Sequence, residues 1–172
     1  MNEERIIRRD RMRFKKNKLS ANLTLLAILL NVLYFVNIYQ NDTGSYYHTY
    51  MIGISVVYNL IFMLVSFLAE EGVKNYKKNF CIPLLILGVI QIVRIFILPW
   101  DAHHTLVQVK GDEVLAMGDG QFTYLVILLI ASAVCLVAAS VVNFVKCAAL
   151  ESHMKMLEGQ PDGAGALAGK SA

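Results

Sequence analysis

Four uncharged polar side chains lie deep within strongly apolar segments of the chain, where hydrogen-bonding groups need partners. They are Asn31, Asn59, Gln91 and Ser132. Each lies eight to ten residues from an aromatic residue at the same end of the bundle: Tyr39, Tyr50, Trp100 and Phe122, respectively. Helices would therefore place all four about 12 to 15 Å below one membrane surface. Amides and a hydroxyl at one depth can bond helices to one another or line a permeation path. Because no ionisable group accompanies them, their pattern favours helix packing.

Arg94 is the only charged residue well inside one of these apolar segments. Its long side chain can snorkel outward, and we expect it to reach a lipid phosphate or Asp101, with Asp42 as a further candidate. The alternative is a carboxylate on a partner protein or a ligand, because a lone cation in a membrane can specify assembly. No Asp or Glu lies within the apolar segments, which disfavours a proton-coupled exporter.

Other reactive residues do not form a recognisable site. Asp101, His103 and His104 combine imidazoles with a carboxylate, but adjacent histidines point apart in most backbone conformations and the spacing fits no known metal site. No nucleophile is accompanied by a base and an orienting group, and no haem or flavin motif is present. We therefore expect no catalytic residue, no cofactor and no metal ion.

The elements that position these residues are four membrane spans. The 172-residue chain is 56% hydrophobic and only 17% charged, which is too apolar for a soluble fold of this size. Four segments reach the roughly 20 apolar residues needed to cross a bilayer, at residues 21–39, 50–69, 80–98 and 122–144. The predicted fold is an all-α membrane protein with a four-transmembrane-helix bundle over residues 21–158.

Basic residues predict the orientation of this bundle. Eight of the sixteen Lys and Arg residues lie in the N-terminal arm, residues 1–20, and three more lie between the second and third spans, whereas the other two loops hold only Lys110. The positive-inside rule therefore places both termini in the cytoplasm, most simply at the cell membrane. The arm predicts binding to anionic inner-leaflet lipids rather than to nucleic acid, through Arg5, Arg8, Arg9, Arg11 and Arg13.

The fourth span carries a face of small and polar residues that would let another helix approach closely. We assign helix packing or partner binding to this face and to the deep polar residues: Ala131, Ser132, Cys135, Ala139 and Asn143, with Asn31, Asn59, Gln91 and Arg94. The pattern of the fourth span continues past Phe144 and stops before a Gly- and Ala-rich tail at residues 159–172, which we predict to be disordered.

The loop before the fourth span has the alternation of a short β-hairpin. Residues 105–109 alternate apolar and polar side chains, Lys110, Gly111 and Asp112 supply a turn, and residues 113–117 are largely apolar again. An isolated two-stranded hairpin is marginal, so this one would need a surface to pack on.

These features predict a non-enzymatic accessory or scaffold subunit of a larger membrane complex, associated with a partner membrane protein or with copies of itself. The alternative is a self-associating small-solute transporter or channel that uses the central polar residues. An intramembrane enzyme is a third reading, with the least support in the sequence.

Overall fold

The computed structural model describes residues 16–40 and 49–158, which are mainly helical. The helices are α1 (Lys18–Ile38), α2 (Thr49–Lys74), α3 (Cys81–Ile97), α4 (Pro99–His104) and α5 (Asp119–Glu158), with a 3-10 turn at Lys78–Phe80. Two antiparallel strands, β1 (Leu106–Val109) and β2 (Asp112–Leu115), lie between α4 and α5.

Within residues 16–40 and 49–158, four helical segments are long and apolar enough to cross a membrane. They match the four predicted spans and are consistent with an integral membrane protein. The orientation stays a prediction. Three parts of the chain lie outside the described residues: residues 1–15 of the basic arm, with Arg5, Arg8, Arg9, Arg11 and Arg13; the segment with Asp42; and the tail at residues 159–172.

Local sequence explains where the helices begin and end. The side chain of Asn17 accepts a hydrogen bond from the Ser20 backbone N–H at 3.4 Å and caps α1. After Lys74, Tyr76 adopts a left-handed backbone with φ of 57°, and the Lys77 N–H bonds the Gly72 carbonyl at 3.0 Å, which is a Schellman ending. Pro99 stands at the start of α4, where a missing N–H costs nothing.

The helices pack in the order α2, α1, α5 and α3. The interfaces of α5 with α1 and with α3 are the most extensive, and α2 is held mainly by α1. The interface between α2 and α3 is much smaller. We call the side of the bundle that holds residues 98–119 the hairpin end, and the opposite side, with Lys18, Lys74 and Lys78, the basic end.

Two apolar cores fill the bundle, one towards each end. The core towards the basic end includes Phe62, Leu84 and Leu136, and the core towards the hairpin end includes Tyr34 and Leu129. In the sequences of α1, α3 and α5, the deep polar residues Asn31, Gln91 and Ser132 fall between the residues of the two cores. The outward faces of the helices present exposed Leu, Ile, Val and Phe side chains, as helices facing lipid require.

The predicted hairpin is confirmed. Lys110 and Gly111 form its two-residue turn with φ of 55° and 101°, both positive as a type I′ turn needs. The strands themselves are exposed at Leu106 and Leu115, and the hairpin is anchored through the buried residues Ala116 and Met117 that follow it. The Ala116 N–H also donates to the Thr105 carbonyl at 2.9 Å.

Candidate functional site

The structure brings the four deep polar residues together in one hydrogen-bonded layer. Gln91 donates from Nε2 to Asn31 Oδ1 at 3.0 Å and to Ser132 Oγ at 3.3 Å. Asn31 donates from Nδ2 to Asn59 Oδ1 at 2.9 Å. The Ser132 hydroxyl donates to the Ala27 carbonyl at 3.1 Å. Each of the four long helices therefore contributes one side chain to the layer.

Arg94 turns into this layer and not outward, so the expected snorkelling towards lipid or Asp101 is wrong. Its Nη1 donates to Asn31 Oδ1 at 2.6 Å and to Gln91 Oε1 at 3.0 Å, and only 8% of the residue is exposed. Arg94 lies three residues after Gln91, so both side chains leave α3 on nearly the same face. That face is turned towards α1, where the Asn31 oxygen accepts from the cation.

Two tyrosine rings enclose the guanidinium. The Arg94 Cζ atom lies 4.6 Å from the ring centroid of Tyr34 and 4.4 Å from that of Tyr58. A desolvated cation over an aromatic face gains about 2 kcal/mol, so the rings compensate for part of the lost hydration. Sequence reasoning missed both tyrosines. Their positions could have indicated this role. Tyr34 lies one turn after Asn31 and Tyr58 lies next to Asn59, so both are within spans and not in the interfacial belt where tyrosines usually occur.

The cation determines which way the amides point. A guanidinium only donates hydrogen bonds, so the oxygens of Asn31 and Gln91 must face Arg94. The amino group of Asn31 is then directed to the Asn59 oxygen, and the Asn59 amino group donates to the Ser55 carbonyl at 2.7 Å. A single charge thus sets the direction of a chain of bonds that runs from α3 through α1 to α2.

The charge of Arg94 is not neutralised by a carboxylate of residues 16–40 or 49–158. The salt bridges among these residues involve Lys74, Lys78 and His103 but not Arg94. Asn31 and Gln91 contribute dipoles, and the tyrosine rings contribute quadrupoles, but neither group carries a formal negative charge. A buried charge without a counterion is expensive in a low-dielectric interior.

A cleft of about 330 Å³ opens beside the guanidinium, between α2 and α3. This is where the two helices have their small interface. The lining is apolar apart from Arg94 itself and a few hydroxyl groups, and consists of Tyr34, Ile54, Ser55, Tyr58, Ile90, Val93, Arg94, Ile97 and Leu98. Ile54 and Ile97 are more than half exposed, so the cleft opens sideways on the apolar face of the bundle.

Asn143 belongs to a second polar cluster, at the basic end. It donates from Nδ2 to the Lys77 carbonyl and to Cys81 Sγ, each at 3.2 Å, and it accepts from Asn17 Nδ2 at 3.3 Å. Sequence reasoning placed Asn143 on the small face of the last span but missed Asn17, which follows a run of basic residues and resembles part of the solvated arm.

The small residues of α5 lie along its contacts with α1 and α3. Ala139 is fully buried and its carbonyl accepts from Ser20 Oγ at 2.6 Å. Ala131 is half-buried, and Cys135 packs against the core towards the basic end. On the opposite side, Val134 and Val141 are more than half exposed.

The histidines of α4 are engaged at the hairpin end. His103 stacks on Phe122 with centroids 4.4 Å apart, and its Nε2 lies 3.8 Å from Asp119 Oδ1. His104 Nδ1 contacts the Trp100 carbonyl at 2.8 Å. Within residues 16–40 and 49–158, no group of three or more His, Cys, Asp or Glu side chains is placed to hold a metal ion, and the three cysteines are free thiols.

The chain was also compared with known proteins. No protein-family model, no curated protein and no solved structure gives a significant match to it.

Proposed function

We propose that this protein is a non-enzymatic accessory or scaffold subunit that associates with another membrane protein inside the bilayer. In the proposed orientation the basic end faces the cytoplasm and the hairpin end faces outward, at the cell membrane. The proposed role of the basic arm is to hold the subunit on anionic inner-leaflet lipids.

One observation carries the proposal: a buried guanidinium without a carboxylate in the described chain borders a cleft that opens sideways. The residues that hold the guanidinium orient it without neutralising it, and this arrangement is costly for the isolated subunit. Supplying a negative group from a second protein would recover that cost on assembly. The charge would thereby favour the assembled state over the free subunit.

A transporter or channel built by self-association has less support. It would need the central amides and hydroxyl to border a water-filled route. Asn31, Gln91 and Ser132 are at most 1% exposed and bond to one another. Their hydrogen-bonding capacity is directed into the bundle, where it holds the helices together.

Native purification in mild detergent, followed by identification of the co-eluting proteins, tests the proposal. We expect an unlike membrane protein in fixed stoichiometry with this subunit. Recovery of a pure homo-oligomer under conditions that preserve other membrane complexes would contradict an accessory role and favour the self-associating alternative.

A further inference from the structure

The guanidinium of Arg94 has one edge engaged and one edge unused. Both hydrogen bonds that it donates to described residues come from Nη1, although a guanidinium has five N–H groups. The rings of Tyr34 and Tyr58 lie against it, with centroids 4.6 and 4.4 Å from Cζ. The edge formed by Nε and Nη2 makes no well-formed hydrogen bond to a described residue, although the Tyr58 hydroxyl lies close to the guanidinium. Arg94 contributes to the wall of the cleft.

We propose that this cleft receives a transmembrane helix of the partner protein, and that an Asp or Glu of that helix pairs with the Nε and Nη2 edge of Arg94. This inference rests on the proposed function and names the chemistry of its interface. Two parallel N–H groups match the two oxygens of a carboxylate in a bidentate pair. One carboxylate neutralises one guanidinium, so the pair leaves no net charge in the cleft.

The depth of the cation favours a helix over a lipid head group. Arg94 lies six residues before Trp100, a distance of about 9 Å along a helix. Tryptophan marks the head-group level of a membrane, so the guanidinium lies below the region in which lipid phosphates reside. A helix backbone holds a carboxylate at this depth, while a phospholipid would have to be drawn inward.

The shape of the bundle provides the space. The small interface between α2 and α3 leaves a gap of about 330 Å³, which is enough for a few side chains of a helix lying across it. Ser55, at 7% exposed, lines the gap beside Ile54. The Tyr58 hydroxyl lies near the guanidinium and has no partner of hydrogen-bonding geometry among the described residues.

A second copy of this chain does not satisfy the same requirement. Its apolar spans contain no Asp or Glu, so a copy packed side by side brings no carboxylate to the depth of Arg94. The occupant is therefore an unlike helix that carries an acidic residue about two turns from its outer end.

Cross-linking from the cleft tests this assignment in the full-length protein in its own membrane. A photo-reactive amino acid replaces Ile97 in the cleft, and a matched control replaces Val134, which is 61% exposed on the far side of α5. We expect Ile97 to capture a protein segment that contains a membrane-embedded Asp or Glu, and Val134 to capture lipid or nothing. Capture of lipid alone at Ile97, or of a helix without an acidic residue, would overturn the inference.

Substitutions then measure the ion pair. Relative to wild type, we expect partner recovery to fall about tenfold in Arg94→Lys, which keeps the charge but loses the two parallel N–H groups. We expect it to fall about 30-fold in Arg94→Leu, which loses both. Replacing the acidic residue of the captured helix by its amide should cause a loss like that of Arg94→Leu while leaving this subunit intact. Partner recovery that withstands both changes would overturn the ion pair but leave the accessory role standing.

Asp42→Asn is the control for a counterion within the chain itself. We expect unchanged partner recovery and an unchanged free energy of unfolding in this variant. If Asp42→Asn instead lowers partner recovery and stability as much as Arg94→Leu does, Asp42 is the counterion and the inference is overturned. Absence of any unlike partner from wild-type preparations would instead remove the proposed function, and this inference with it.

Discussion

Replacing Asn31 by Leu should destabilise the bundle by removing the hub of the polar layer. Asn31 accepts hydrogen bonds from Arg94 at 2.6 Å and from Gln91 at 3.0 Å, and it donates to Asn59 at 2.9 Å. Leucine has the same number of side-chain heavy atoms, branched at the same carbon, and no polar atom. All three bonds are lost, and the Asn59 oxygen loses the donor that the layer supplies.

The expected cost follows from measured values for such bonds in membranes. A hydrogen bond between membrane helices contributes about 0.6 kcal/mol on average and at most about 1.7 kcal/mol. The Arg94 bond is charge-assisted and belongs near the upper value. We therefore expect Asn31→Leu to lower the free energy of unfolding by about 2 to 3 kcal/mol.

Asn37→Leu is the matched control because it makes the same chemical change on the same helix. Among the described residues, the Asn37 side chain bonds the Leu33 carbonyl alone, one turn back on α1, at 2.7 Å. Both variants make the same side-chain change, so a larger loss of stability in Asn31→Leu reports the bonds of the buried layer. Equilibrium unfolding of the purified proteins in mild detergent, driven by a denaturing detergent and followed by circular dichroism, gives the two values. Equal free energies of unfolding for Asn31→Leu and Asn37→Leu would refute the reasoning.

Four further predictions concern other parts of the molecule. Gly88→Ile should destabilise the bundle by about 1 to 3 kcal/mol, because a Cβ there would lie 3.0 Å from Val137 Cγ2 on α5, whereas Gly53→Ile, with nothing within 4 Å, should be nearly silent in the same unfolding assay. Gly111→Val should open the hairpin, because a φ of 101° is sterically unfavourable for valine. Amide hydrogen exchange at Val107 and Val114 should then become faster. Unchanged exchange would contradict the turn assignment. Asn143→Leu should raise the maleimide reactivity of Cys81 and Cys147, which Asn143 contacts at 3.2 and 3.6 Å, while Cys135 serves as the internal control. Reporters fused to either terminus should both report a cytoplasmic location. The reason is that eleven basic residues flank the basic end of the first three spans, whereas one lies in the other loops. A reporter found outside would contradict the proposed topology.

The hairpin shows which features could be predicted from neighbouring residues alone. Alternating side chains and the Lys110-Gly111 pair were enough to predict strands and turn, because both depend on neighbouring residues. The anchoring by Ala116 and Met117 was not predictable, since it depends on the positions of α4 and α5. The short helix α4 was also missed, because six residues after a proline carry too little periodicity to be distinguished from a loop.

The amino-acid sequence by itself determined the number of spans and the depth of their polar residues. Length and hydropathy define a span, and a rise of about 1.5 Å per residue converts position into depth. This is why Asn31, Asn59, Gln91 and Ser132 could be placed in one layer before any contact was known.

Tertiary structure alone decided what Arg94 does. Sequence places its Cα near one membrane surface, and from there a long side chain can reach lipid or turn inward. The choice depends on what faces it: the oxygens of Asn31 and Gln91, and the rings of Tyr34 and Tyr58. These groups come from α1, α2 and α3, whose relative rotations are set by the packing of α1 and α3 on α5 and of α2 on α1. The unused edge of the guanidinium and the gap between α2 and α3 are likewise products of that packing, because no single helix contains them.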